Sequence, residues 1–169
     1  MHKDYTKVVK AGFGAALQAA LPEFSVSRLQ RKSGGCLYQS SPGAGLTLFI
    51  DLIIHDNADE FTLDIGFSRD GLCPEEDFFL NPGDTLTLPG ILFRLTEFRG
   101  DDKDPWWVIE DYLPVAVGKA RFAQTGTIAL PPEEYLPRID ALIADAVKKL
   151  QQYAVPYFDS LSGEAKTSS

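Results

Sequence analysis

The chain is poor in the residues that most often carry chemistry. Its 169 residues include two cysteines, two histidines and one methionine. Cys36 and Cys73 form neither a Cys-x-x-Cys motif nor a disulfide framework, so reduced thiols are expected. With no histidine pair and no paired cysteines, neither a metal nor a cofactor is expected. No apolar run approaches the roughly 18 residues that cross a bilayer, so no membrane partner is expected. Bases are outnumbered, with 16 Lys and Arg against 24 Asp and Glu and a formal net charge of −8. That balance argues against a nucleic-acid partner, whose binding rests on neutralising phosphates. It suits a cytoplasmic protein, or one that meets a basic protein partner.

Recognisable catalytic motifs are missing as well. Gly12-Phe13-Gly14 and Gly43-Ala44-Gly45 do not continue into a phosphate-binding fingerprint. No serine lies in a nucleophile elbow. The acidic stretches Glu75-Glu76-Asp77 and Asp101-Asp102-Lys103-Asp104 lack the glycine and terminal glutamate of a calcium loop, and read as solvated charge.

What the sequence does contain is a strong alternating pattern. Every even position of Leu46–Ile54 is aliphatic, and every odd position of Phe61–Ser68 is apolar. Such alternation marks two strands with one face in a core. A four-residue loop at Asn57–Glu60 would pair Ile54 with Leu63, Leu52 with Ile65 and Ile50 with Phe67. The other face would then carry Phe49, Asp51, Ile53, His55, Thr62 and Asp64.

Around this hairpin the chain reads as α+β: an N-terminal helix, an antiparallel β-meander of about five to six strands, and a long C-terminal helix packed on the sheet. The first helix is expected over Tyr5–Ala20, where Val9, Phe13, Ala16, Leu17 and Ala20 recur at helical spacing. Lys3, Lys7 and Lys10 precede an Ala- and Gly-rich stretch too weak for the apolar region of a leader. Further strands are expected at Phe24–Arg31, Cys36–Ser40, Asp84–Leu88, Ile91–Phe98 and Trp106–Glu110. Val115–Gly118 fits neither pattern. After Pro131-Pro132, the stripe Leu136, Ile139, Ile143, Ala146, Leu150 and Tyr153 predicts the closing helix, ended or kinked by Pro156. Residues 1–161 are expected to form one domain, with 162–169 frayed.

His55 is the first candidate for acid–base work. Asp51 lies on its strand but about 13 Å away. Asp64, diagonal to it across the predicted hairpin, is the nearer partner. Trp106 and Trp107 should point to opposite faces, one into the core and one outward. Phe49, Ile53, Trp106 and Trp107 are therefore the candidate binding residues, and no convergent reactive cluster is predicted.

Phe13 and Leu17 on the first helix, Tyr38-Gln39-Ser40 before the long strand, and Pro156-Tyr157-Phe158 late in the chain carry a resemblance. The chain resembles small bacterial cytosolic α+β domains of unknown function over most of its length. The resemblance implies no activity and carries over no catalytic residue. The leading expectation is a non-enzymatic interaction domain, of immunity or regulatory type. The alternatives are a small hydrolase or transferase using His55 with Asp51 or Asp64, and a carrier of a small apolar ligand.

Overall fold

Three long segments organise the chain, and each follows from its pattern of apolar spacing. The computed structural model describes residues 3–29, 34–43, 45–55, 58–74, 88–95, 106–110, 114–126 and 129–167. Helix α1 (Lys3–Ala20) buries Tyr5, Val9, Phe13 and Leu17, one per turn. It ends at Leu21, which precedes Pro22 and is held out of the helical region by that ring.

Six strands form one antiparallel sheet: β1 (Ser25–Val26), β2 (Cys36–Gly43), β3 (Leu46–Ile54), β4 (Asp59–Ser68), β5 (Gly90–Arg94) and β6 (Trp107–Glu110). The first five run in sequence order, and β6 joins the same edge of β4 that β5 uses further along. β1 is far shorter than the predicted Phe24–Arg31. Ser27 draws the backbone out of the ladder: its hydroxyl donates to Gln39 Oε1 at 2.6 Å and accepts the Leu29 N–H at 3.1 Å. β2 runs past its predicted end to Gly43, with the register breaking between Ser40 and Gly43 around Pro42. The predicted strand residues 84–87 and 96–98, and the acidic stretches 75–77 and 101–104, lie outside the described residues.

The hairpin register differs from the predicted one by two residues. Ile54 pairs with Phe61, Leu52 with Leu63, Ile50 with Ile65 and Leu48 with Phe67. The His55 N–H donates to the Glu60 carbonyl at 3.1 Å, which closes the turn earlier than the predicted loop. A two-residue slip keeps every side chain on its own face, so the aliphatic face is the predicted one. Ile50, Leu52, Ile54, Phe61, Leu63, Ile65 and Phe67 all join the main core with α1.

The closing helices cover the same face. α3 (Pro132–Lys149) buries Tyr135, Ile139, Ile143, Ala146 and Val147. Leu136 is 38% exposed, contrary to the predicted stripe; Tyr135 takes the inward place and meets Tyr5 edge-on at 4.9 Å. A π turn spans Leu150–Ala154, where the Val155 N–H reaches the Leu150 carbonyl. α4 (Val155–Thr167) then continues, with Pro156 in its first turn, where a missing N–H is tolerated. Pro156 thus neither ends the helical run nor sits in a regular α turn. Leu161 is the last buried residue described in α4.

Val115–Gly118, unassigned by pattern, belongs to α2 (Val115–Thr125), which closes on Gly126 in the left-handed region at φ 73°. No described residue of α2 is buried. No described helix is long and apolar enough to cross a membrane.

Candidate functional site

The sheet face turned away from the helices is where the sequence placed its candidate residues. Antiparallel pairing sets them in rows across the strands. One row runs Leu37, Asp51, Asp64, Arg94 through β2, β3, β4 and β5. The next runs Gln39, Phe49, Gly66, Leu92. On the other side His55 lies opposite Glu60, whose further neighbour is Val108 of β6.

Asp51 and Asp64 are wholly buried. The Arg94 Nε donates to Asp64 Oδ1 at 2.6 Å, with its side chain almost covered. A charge-assisted bond of this kind is roughly twice as strong as a neutral one. It offsets part of the cost of placing a carboxylate out of water. The sequence predicted dispersed ionisable groups; the register instead gathers two acids and one base in a single row. Arg94 was missed because its role depends on where β5 pairs along β4, which no local pattern records.

His55 is set apart from that row. Its neighbour Glu60 is four residues from Asp64 along β4, about 13 Å. The predicted diagonal between His55 and Asp64 therefore does not form, because the hairpin closes two residues early. Trp106 touches both regions. Its ring centroid lies 5.1 Å from that of His55 at 82°, and Arg94 Cζ lies 5.2 Å from the Trp106 ring.

Phe49 is wholly buried in a small second cluster with Leu37 and Leu92, against which Cys73 packs. Ile53 and Trp106 are half-buried. Trp107 points to the core, stacked on Phe61 at 5.5 Å, while Trp106 lies on the other face. Trp107 Nε1 donates to Asp145 Oδ2 at 2.9 Å, and Lys149 Nζ binds the same oxygen at 2.6 Å. Phe49 and Trp107 are thus held inside the protein. Among the described residues, no group of three or more His, Cys, Asp and Glu is placed to hold a metal.

A concave surface lies elsewhere. Between α1 and the β1–β2 edge runs a groove of about 670 Å³, walled by Lys7, Lys10, Ala11, Gly14, Ala15 and Gln18 of α1. Leu17, Phe24, Val26, Cys36 and Tyr38 complete it. Ala11, Gly14 and Ala15 lie on one helical stripe and leave room where larger side chains would fill it. Gly14 also sits close to the sheet: a Cβ there would stand 3.1 Å from the Tyr38 hydroxyl. Burial, with the Cys36 thiol beside it, pushes the Tyr38 hydroxyl up to about 12, so it remains a neutral phenol at ordinary pH. The sequence signal for the groove was the run of small residues flanked by two lysines on the outward side of an amphipathic helix.

No protein-family model, no characterised protein and no solved structure matches the chain.

Proposed function

We propose that the protein is a non-enzymatic binding domain that holds a small molecule in the groove between α1 and the β1–β2 edge. The supporting observation is the groove itself: about 670 Å³, within the range of small-molecule sites, with an apolar floor. Its walls carry no carboxylate and no histidine. The acids of the outer sheet face, by contrast, are sealed from solvent. A neutral apolar fluorophore, N-phenyl-1-naphthylamine, tests this reading. Its emission should rise on adding the protein and return to baseline with Ala15→Trp, which fills the groove from an exposed position. Equal enhancement by both proteins would refute the site.

A second reading attaches to α2. Val117 and Phe122 are 46% and 58% exposed, and the helix carries Lys119 and Arg121 with no acidic residue. An 11-residue helix with no buried residue described is marginal in isolation. Its described anchor is the ion pair of Arg121 with Glu110. This supports docking of α2 on an acidic partner surface, which a second copy of this −8 chain could supply. Sedimentation equilibrium should then show a dimer that Phe122→Glu dissociates. A monomer at every concentration would remove that version.

A further inference from the structure

The groove has a chemical asymmetry that narrows its occupant. The charged residues lining it are Lys7 and Lys10, both cationic. Asp4 and Glu23, the acids nearest in sequence, are not among the residues that line it. Neither lysine forms an ion pair with a described residue. Three residues apart on one helix, they share a side of α1 and can close on one anionic group. From Lys7 to Gln18 the groove follows eleven residues of helix, about 16 Å. Beyond the lysines its walls are apolar, with Leu17 and Phe24 beside Val26, which is 67% exposed.

We propose that the occupant is a free single-chain alkyl carboxylate, its acid group held by Lys7 and Lys10 and its chain lying along Leu17, Phe24 and Val26. This rests on the groove reading above and adds the sign of the ligand's charge. Two ammonium groups act as point charges without a guanidinium fork, which suits a small carboxylate. In a chain of net charge −8, most of the surface repels such a ligand, so these two lysines also direct where it binds.

The test compares octanoate, 1-octanol and octyltrimethylammonium as displacers of N-phenyl-1-naphthylamine from the full chain at low salt. Octanoate should compete best and the cation worst. Lys7→Gln with Lys10→Gln should weaken octanoate about fivefold and leave 1-octanol unchanged. Loss of octanoate competition with Ala15→Trp would place the ligand in this groove. If 1-octanol competes as well as octanoate, or the double lysine variant leaves octanoate unaffected, the charge inference falls and the groove reading stands. If the fluorophore itself does not bind, both fall.

Discussion

Asp51 and Asp64 stand directly opposite one another in the β3–β4 ladder, both wholly buried, and Arg94 completes the row from β5. Like charges facing each other across a ladder oppose pairing, so the row depends on the arginine. Arg94→Met should lower stability by about 3–5 kcal/mol, the cost typical of breaking a buried pair. The same change in an Asp64→Asn background should cost clearly less. Urea unfolding of the four proteins of this cycle measures the coupling. Equal losses in both backgrounds would show that Arg94 acts through packing alone.

This row also shows where sequence reading stops. Alternation in Leu46–Ile54 and Phe61–Ser68 settles which side chains face the core, because a one-residue slip would turn Thr62 and Asp64 inward. It cannot separate registers two residues apart, since both bury the same set. The opposition of Asp51 to Asp64, and the distance of His55 from either, depends on that choice. The split of Trp106 and Trp107 between faces needed only strand geometry and was readable. The α1–β1–β2 groove joins elements distant in sequence, so its lysines looked like ordinary solvated charge. The full extent of α2 was hidden because its apolar residues do not form a buried stripe.

Two glycines should respond oppositely to alanine. At Gly66 a Cβ would lie 1.9 Å from the Ile91 carbonyl oxygen, within the backbone of the adjoining strand. Gly66→Ala must push β5 away from β4, and a loss of roughly 2–4 kcal/mol is expected, as for severe overpacking. At Gly118, in the middle of α2, nothing lies near the added methyl. Gly118→Ala should raise helix stability by up to about 1 kcal/mol. Thermal melts of both variants beside the parent provide the comparison.

The hydroxyl of Tyr5 joins distant parts of the chain: it donates to Glu110 Oε2 at 3.0 Å and accepts the buried Leu130 N–H at 2.6 Å. Tyr5→Phe keeps the ring but leaves that N–H without its acceptor. A loss of about 1–3 kcal/mol is expected. Amide exchange at Leu130 should accelerate by more than the global loss explains if the hydroxyl is the local latch.

Alkaline conditions should expose the burial of Tyr38. Its ordinary value of 10.0 is pushed up to about 12 in the folded chain, chiefly by desolvation. The unfolded chain therefore loses this proton first as pH rises. Stability from this group is intact below pH 10 and is lost between about pH 10 and 12, amounting to roughly 2 kcal/mol. Tyr38→Phe should flatten that part of the stability profile, and burial of Tyr5 contributes a decline of the same sign. Chemical denaturation at pH 9, 10, 11 and 12 reads both.

The π turn at Leu150–Ala154 fixes the angular phase of everything after it. Removing one residue there would let an ordinary α ladder run through, and would rotate α4 by about 100°. Tyr157, Phe158 and Leu161 would swing away from the interior they now fill. The wide turn therefore acts as a spacer of defined twist, and the length of this short segment is more constrained than the identity of its outward side chains.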